Sequence, residues 1–213
     1  WQNVTGNVLS VGYGLSETSP AASIDPIGVN KFSDSLGLPL PSTEISIQDD
    51  EGNYLDYNQP GEICIRGPQL MKGYWNNEEE TKKVITHDGW FKTGDIGIMD
   101  ENGYPKIVDR KKDMIIVSGF NVYPNEIEEI AMMNEKVFEA GCIGIKDNDG
   151  SEKIKLFISK NPNSDLSSKE IIDYCKKYLT KYKIPQIIEF IDEIPKSNVG
   201  KILRRKLREI ENE

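Results

Sequence analysis

The stretch from Tyr13 to Glu17 combines three side chains that suit a phosphorylated ligand. Tyr13 offers a flat ring, Ser16 a hydroxyl and Glu17 a carboxylate that can bind Mg²⁺, beside the glycines of a flexible loop. A hydrolase nucleophile elbow would need a glycine where Thr18 stands, so a hydrolase built on Ser16 and His87 is disfavoured. Taken alone, the same five residues are also typical of an ordinary turn.

A second candidate is Asp95, an acid that stands between Gly94 and Gly97 in a glycine-rich run. The run ends in a dense group of charges at residues 109–113. One interpretation is a β-hairpin with a solvated, charged exit. The other is a carboxylate that holds the ribose of a nucleotide just before a hinge, and the residues alone leave both open.

The third candidate is Lys201, which follows Gly200 near the C-terminus. From Lys196 to Arg208 there are six basic residues and no acid, a pattern typical of a solvated tail that is attracted to anionic membranes. Nucleic acid is disfavoured as a partner, because no aromatic residues interleave these charges and the chain has a net charge of −9. A lysine on a flexible loop is also a point charge suited to a phosphate or carboxylate oxygen.

The composition excludes several classes of protein. No apolar run reaches the ~18 residues of a membrane span, and no targeting segment is visible after Trp1. A single histidine, His87, rules out a site that needs two imidazoles. Cys64, Cys142 and Cys175 are odd in number and stand among aliphatic neighbours, which indicates reduced core residues. We therefore predict a cytoplasmic protein.

The charge divides the chain into two parts. Residues 1–109 carry seven basic and seventeen acidic side chains, whereas residues 110–213 carry nineteen and eighteen. Such an asymmetry indicates a domain boundary. In the first part, alternating strands with short turns favour a small barrel or curled sheet, and one short helix is predicted near residues 76–84.

The second part predicts a small α+β domain, because helical and strand periodicities both occur in it. Its expected elements are a helix from Pro124, strands near 137–146 and 153–159 around a turn at 147–150, a helix capped by Ser167 and Glu170 with residues 171–179 at helical spacing, and a polar helix at 202–213.

Five motifs, in this order, resemble those of the adenylate-forming superfamily, which includes acyl-CoA synthetases, nonribosomal-peptide adenylation domains and firefly-type luciferases. They are Tyr13–Glu17 with Ser16 in the place of the family's Thr, Gly61–Gly67 with Gly73–Trp75, Thr93–Asp95, Asp109–Arg110 with Ser118–Glu128, and Pro195–Lys201. Together they extend over nearly the whole chain. Residues 88–112 resemble the fatty-acyl-CoA synthetase signature, and the closing motif is similar to that of bacterial long-chain fatty acid–CoA ligases.

The resemblance implies an acid–thiol ligase. ATP and a long-chain fatty acid would give acyl-AMP and pyrophosphate, and the thiol of CoA would then displace AMP. The implied cofactors are Mg²⁺, ATP and CoA. The implied fold is α+β: a β-rich remnant of the large adenylating domain (a distorted barrel) at residues 1–109, a hinge at 110–112 and a small mobile α+β domain at 113–213.

The nucleotide-binding residues that the resemblance implies are Tyr13, Gly14, Ser16, Asp95 and Arg110. In this scheme Tyr13 stacks on adenine, Ser16 contacts the α-phosphate, and Glu17 takes a catalytic role by binding Mg²⁺. Asp95 accepts hydrogen bonds from both ribose hydroxyls and is assisted by Arg110. A carboxylate can take both hydroxyls of a cis-diol at once, which accounts for an isolated acid between glycines.

The resemblance assigns Lys201 to catalysis of the first half-reaction. Its ammonium group would reach between the fatty carboxylate and the α-phosphate, where it offsets the charge that builds as one anion attacks another. The small domain would then swing about Lys112 and bring the CoA-binding residues Ser118 and Gly119 to the pantetheine channel. A side chain at Gly119 would obstruct the thiol there.

The family's phosphate loop and most of its acyl-binding domain should precede Tyr13, and this chain contains neither. We therefore expect the C-terminal portion of a ligase, which does not catalyse adenylation alone. The alternatives are an acyl- or aryl-CoA ligase for another carboxylate and a stand-alone nucleotide- or CoA-binding module. A peripheral contact with the inner membrane face and a homodimer stay open.

Overall fold

The computed structural model describes residues 1–28, 33–147, 150–198 and 200–211. The chain forms two compact units, Trp1–Lys111 and Lys112–Glu213. The division falls inside the segment 110–112, where the sequence changes from acidic to nearly neutral.

Short antiparallel strands dominate the first unit. Its two helices are α1 (Gln2–Thr5) and α2 (Glu78–Val84). Its strands are β1 (Gly12–Tyr13), β2 (Ser23–Ile24), β3 (Leu38–Pro39), β4 (Glu44–Gln48), β5 (Gly61–Arg66), β6 (Phe91–Met99) and β7 (Pro105–Arg110). They form two antiparallel sheets, in the orders β1-β2-β3 and β4-β5-β6-β7.

The four-stranded sheet is open. β4 and β7 are its edge strands, and they do not pair with each other within the described residues. The predicted α+β class is confirmed, whereas a closed barrel does not form. The reason is that hairpin signals in a sequence specify neighbours along the chain, while closure requires a pairing between the first and last strands that no local pattern encodes.

The β6–β7 hairpin sets the register of the candidate site. Asp95 stands opposite Arg110 in this pair of strands. The intervening turn forms at the predicted place, where the Asp100 carboxylate accepts the backbone N–H groups of Asn102 at 2.9 Å and Tyr104 at 2.8 Å. The register shifts by one residue between Gly97 and Ile96, so the pairing of Asp95 with Arg110 depends on this turn and on that irregularity together.

The second unit mixes helices and strands. Its helices are α3 (Pro124–Met132), α4 (Ser168–Cys175) and α5 (Arg204–Glu211). Its strands are β8 (Ile115–Val117), β9 (Phe120–Val122), β10 (Val137–Lys146), β11 (Glu152–Lys160) and β12 (Ile187–Phe190). β8 and β9 form a hairpin, and the other three strands form a sheet in the order β10-β11-β12, in which β11 and β12 are parallel. Of the turn predicted between β10 and β11, Asn148 and Asp149 lie outside the described residues.

Helix α4 is shorter than its periodicity suggests. Its capping box forms as predicted, with the Ser167 hydroxyl accepting the Glu170 N–H and the Glu170 carboxylate accepting the Ser167 N–H. The N–H of Ser167, the ammonium group of Lys136 and the Ser167 hydroxyl all donate to the Glu170 carboxylate and lower its pKa to about 2. The helix ends at Cys175, because the next turn tightens and the N–H groups of Lys177 and Tyr178 bond to carbonyls three residues back.

Helix α5 is tied to the rest of its unit by ion pairs with two buried carboxylates. Arg204 Nη2 lies 2.8 Å from the carboxylate of Glu128, whose residue is 3% exposed. Arg208 Nη2 lies 2.9 Å from the carboxylate of Asp113, which is also buried. Buried carboxylates need such partners because desolvation of an unpaired charge is costly. The basic start of α5 is thus partly internal, rather than the fully solvated face that the sequence suggests.

The three cysteines are free thiols in the interior, as predicted. Burial raises the pKa of Cys64 to about 12 and that of Cys175 to about 11, so neither is a thiolate at neutral pH. None of the helices in the described part of the chain has the length and apolar character that crossing a bilayer requires.

Candidate active site

The turn at Thr93-Gly94-Asp95 is built by hydrogen bonds from its own side chains. Thr93 Oγ1 donates to the carbonyl of Ile63 at 2.7 Å and accepts the N–H of Asp95 at 3.1 Å. Gly94 has a φ of +72°, a left-handed conformation that glycine adopts without strain. The turn interrupts the regular path of β6 and directs Asp95 inward.

Asp95 is a buried carboxylate with two donors. The hydroxyl of Tyr13 donates to Oδ2 at 2.6 Å, and Arg110 Nε lies 2.7 Å from Oδ1. Asp95 itself is 3% exposed. Burial and the hydrogen bond to this carboxylate both raise the pKa of Tyr13, so its hydroxyl stays protonated and acts as a donor. Because a carboxylate has about four acceptor positions, roughly one per oxygen is left for a ligand.

Tyr13 lies mostly in the core. Its residue is 8% exposed, and it belongs to an apolar cluster with Leu36, Ile47 and Ile63. The sequence suggested that the ring of Tyr13 is its functional part. In the structure the hydroxyl group of Tyr13 makes the contact with Asp95.

Gly14 lies where the chain passes close to itself. A Cβ atom at this position would be 1.8 Å from the carbonyl oxygen of Pro20 and 2.8 Å from Cα of Ala21. Only glycine fits such an approach of two backbone segments. The neighbouring Ser16 is exposed, and it begins the short 3₁₀ turn Ser16–Thr18.

Glu17 is held by the same turn. The buried hydroxyl of Thr18 accepts the N–H of Leu15 at 2.8 Å and donates toward nearby carbonyls, which stabilises the turn. The hydroxyl of Tyr74 donates to Glu17 Oε1 at 2.9 Å. Partial burial, followed by this contact with Glu17, raises the pKa of Tyr74.

A cleft of about 440 Å³ lies in the first unit beside some of these residues. Its walls include Glu17, Tyr74, Thr93, Gly94 and Arg110. The structure therefore brings together residues from two motifs, Tyr13–Glu17 and Thr93–Asp95, that are far apart in the sequence. The cleft is lined by the charged residues Glu17 and Arg110, as is expected of a site for a polar ligand, whereas the buried residues Tyr13 and Asp95 are not part of its lining.

Glu62 is a polar residue of this region that the sequence reasoning missed. It is 6% exposed, and its carboxylate accepts the N–H of Gly94 at 2.9 Å and the ammonium group of Lys111 at 2.9 Å. The signal that could have indicated it is an acid directly before the apolar residues Ile63, Cys64 and Ile65 of strand β5.

In the second unit, Lys201 stands at the end of a tight turn. The N–H of Ser197 bonds to the carbonyl of Lys201 at 2.8 Å, and the N–H of Gly200 bonds to the carbonyl of Ser197 at 2.9 Å. Gly200 has a φ of +80°. The Lys201 side chain is exposed and has no ion-pair partner in the part of the chain that the structure describes. Val199 lies outside that part.

Ser118 and Gly119 form the two-residue turn of the β8–β9 hairpin. Their φ angles are +51° and +83°, as a type I′ turn requires. A Cβ atom at Gly119 would meet no other atom within 4 Å, so the space beside it is open. Both residues line a cleft of about 440 Å³ together with Lys146.

Lys112 is an exposed residue between two anchored neighbours. Lys111 pairs with Asp50 at 2.6 Å and with Glu62, whereas Asp113 is buried against Arg208. The short 3₁₀ turn Lys111–Asp113 contains all three residues of this segment.

Comparisons with known proteins show which family the chain belongs to. The model of the AMP-binding enzyme family matches residues 1–75, and that of the AMP-binding enzyme C-terminal domain matches residues 126–201. The chain belongs to the AMP-binding enzyme family.

Several individual proteins are similar to this chain in sequence or in structure. The chain is 51% identical to the long-chain-fatty-acid–CoA ligase of Yersinia pestis over 99% of its own length, and it spans 37% of the length of that protein. Its structure matches the ATP-bound MatB of Rhodopseudomonas palustris with a TM-score of 0.91 at 32% identity, over 99% of this chain and 42% of MatB. It matches the AMP complex of the O-succinylbenzoate coenzyme A synthetase of Bacillus subtilis with a TM-score of 0.81 at 33% identity, over 97% of this chain and 42% of the other.

Proposed function

We propose that the chain is part of an ATP-dependent long-chain fatty acid–CoA ligase. The enzyme would join a fatty acid to AMP with release of pyrophosphate, and then transfer the acyl group to the thiol of CoA. The observation that supports this most directly is Asp95, a buried carboxylate oriented by Tyr13 and Arg110 beside a cleft, in a chain about half identical to a protein named as such a ligase.

In this proposal Asp95 binds the ribose of ATP. Its two oxygens keep acceptor positions after bonding to Tyr13 and Arg110, so both hydroxyls of a cis-diol can donate to it. Arg110 is half-exposed and can also contact the ligand directly. Stacking of adenine on Tyr13 remains a prediction, and it would require a ring face that the core now covers to become accessible.

Glu17 would hold Mg²⁺ together with the phosphates of ATP. Within the described residues, no group of three or more carboxylate, cysteine or histidine side chains is arranged so that it could hold a metal ion by itself. One carboxylate plus substrate phosphates is the usual way in which proteins bind Mg²⁺, so Glu17 on the wall of the cleft fits this ion. When bound, Mg²⁺ would neutralise phosphate charge, and Ser16 would contact the α-phosphate beside it.

The second unit would supply the other reactive groups. Lys201, exposed on its turn, would bridge the attacking carboxylate and the α-phosphate during acyl-AMP formation. Rotation at Lys112 would then remove Lys201 and bring Ser118 and Gly119 to the pantetheine arm of CoA. The open space beside Gly119 suits passage of a thin thiol chain.

A second candidate keeps the chemistry and changes the acid. The Bacillus subtilis match is named as an O-succinylbenzoate coenzyme A synthetase, so a carboxylate other than a fatty acid is compatible with this fold. The residues that would enclose the acyl chain are expected upstream of Tyr13. We infer for the same reason that the 213-residue chain alone does not adenylate.

Two further proposals concern partners. A peripheral membrane contact would rest on Arg205, Lys206 and Lys201, because Arg204 and Arg208 are engaged in internal ion pairs. Such a contact would be electrostatic, since Leu207 on the apolar face of α5 is fully buried. A homodimer remains a prediction.

The test of the ribose assignment is Asp95→Asn in the enzyme that carries the upstream region predicted by the resemblance. Loss of charge-assisted hydrogen bonds to the ribose should raise the KM for ATP about tenfold or more. KM is measured from pyrophosphate release with palmitate as the acid. The control is Asp100→Asn in the turn of the same hairpin, which should leave this KM unchanged. Equal KM values for Asp95→Asn and the wild type would contradict the proposal.

A further inference from the structure

Glu62 is bonded through each of its two carboxylate oxygens to a different functional segment. Oε1 accepts the N–H of Gly94 at 2.9 Å, and Oε2 lies 2.9 Å from Nζ of Lys111. Gly94 is the centre of the Thr93–Asp95 turn. Lys111 is the last residue of the first unit and directly precedes Lys112. All of these contacts lie within one unit.

Glu62 is buried, so its two bonds must offset the cost of removing its carboxylate from water. Its side chain is 7% exposed, and burying a carboxylate is costly unless its oxygens have strong donors. Lys111 supplies one of them and is itself held by Asp50 at 2.6 Å. Burial works against the charge of Lys111, but its hydrogen bonds to Asp50 and Glu62 outweigh that effect and raise its pKa.

The bond to Gly94 orients the ribose-binding turn. Gly94 has a φ of +72°, and a Cβ atom added there would meet no other atom within 4 Å, so no side-chain packing fixes the backbone at Gly94 itself. Thr93 fixes one side of the turn through the carbonyl of Ile63. Glu62 accepts the N–H of Gly94 and so fixes the orientation of the peptide between Thr93 and Gly94. This peptide directly precedes Asp95, so its orientation helps to set the position of the Asp95 backbone.

We propose that Glu62 is a positioning residue that holds the Asp95 turn with one oxygen and, through Lys111, the fixed end of the hinge with the other. This inference rests on the proposed ligase function. Lys112 is then the first residue free to rotate, because the residue before it is anchored to the sheet and the residue after it, Asp113, is anchored to Arg208 in its own unit.

The two contacts can be separated by mutation in the enzyme with its upstream region. Glu62→Ala removes both and should raise the KM for ATP about tenfold, because the turn loses a charge-assisted bond. Lys111→Met leaves the bond to Gly94 in place, so the KM for ATP should stay within about threefold of the wild type. Its defect should be in kcat for acyl transfer from palmitoyl-AMP to CoA, which should fall roughly fivefold because the hinge end is no longer fixed.

Three further variants test whether the two defects come from the loss of the Glu62 contacts. Lys111→Arg keeps the cation and should restore the transfer rate. Glu62→Gln is isosteric and offers one acceptor oxygen, so it must show at least one of the two defects even if Glu62→Ala does not fold. Glu44→Gln breaks an exposed ion pair with Arg66 on the same sheet and should change neither parameter.

The outcomes separate the inference from the function on which it rests. If Glu62→Gln shows neither defect while Asp95→Asn still raises the KM for ATP, the ligase assignment stands and Glu62 has no positioning role. If Lys111→Met raises the KM for ATP as much as the Glu62 variants do, the division of labour between the two oxygens is wrong. If Asp95→Asn leaves the KM unchanged as well, the proposed function itself fails.

Discussion

Gly14 is the residue whose replacement has the clearest steric consequence. An added Cβ would lie 1.8 Å from the Pro20 carbonyl oxygen, which requires backbone movement. We expect Gly14→Ala to lower the free energy of unfolding of the first unit by about 1–3 kcal/mol. Gly12→Ala is the control, because its Cβ would meet Ser23 at an ordinary 3.6 Å.

The chain offers a selective probe for this measurement. All three tryptophans, Trp1, Trp75 and Trp90, lie in the first unit, and Trp90 is 3% exposed. Urea unfolding followed by tryptophan fluorescence therefore reports on that unit alone. An unfolding midpoint for Gly14→Ala equal to that of Gly12→Ala would contradict the close approach of the two backbone segments.

Single residues also show how far a sequence can be interpreted. Tyr13, Asp95 and Arg110 could be selected from their motifs, but the bond between the Tyr13 hydroxyl and Asp95 could not. It joins residues 82 positions apart, and its existence depends on how two separate sheets pack. The position of Glu62 in a strand was only a weak signal, because its two donors, Gly94 and Lys111, lie 32 and 49 positions away in the chain.

At the scale of elements, we predict that two neighbouring arginines of helix α5 differ in their contribution to the stability of the second unit. Arg204 holds the buried carboxylate of Glu128, whereas Arg205 forms an exposed pair with Glu209. Arg204→Met should lower the stability of the second unit by about 3 kcal/mol or more, because Glu128 would lose its cation. Arg205→Met should cost no more than about 0.5 kcal/mol.

This pair can be compared by thermal unfolding followed by circular dichroism. The second unit contains no tryptophan, so fluorescence of the first unit serves as an internal reference that should not move. Equal melting temperatures for Arg204→Met and Arg205→Met would show that the Arg204–Glu128 pair does not anchor α5.

Local elements were largely predictable, and their pairing was not. The α4 capping box, the turn between β6 and β7 and the helix beginning at Pro124 follow from side chains within a few residues of one another. The open edge of the four-stranded sheet and the parallel pairing of β11 with β12 are contacts between distant segments. The hydrophobic periodicity of a single strand does not specify which distant strand it pairs with.

At the scale of the whole molecule, the balance of charge changes near residue 110, and the two compact units divide between Lys111 and Lys112. The acidic first part contains the cleft with Glu17 and Arg110, and the second part contains the exposed Lys201. The order of five motifs indicated the family in advance of the structure. The chain spans 37% of the length of the Yersinia pestis ligase, so its sequence could not be used to predict the residues that would enclose the proposed acyl chain.

The central claim, that Lys201 serves acyl-AMP formation and not acyl transfer, is tested by assaying the two half-reactions separately. The enzyme with its upstream region is compared with Lys201→Ala and with Lys206→Ala, a control that removes another exposed cation of the same segment. One assay follows pyrophosphate release from ATP and palmitate, and the other follows palmitoyl-CoA formation from palmitoyl-AMP and CoA. We expect Lys201→Ala to lose the first activity at least ~100-fold and to keep the second, because the cation offsets charge only while one anion attacks another. If both activities survive in Lys201→Ala, Lys201 is one more charge of a basic segment, and the account of the second unit is wrong.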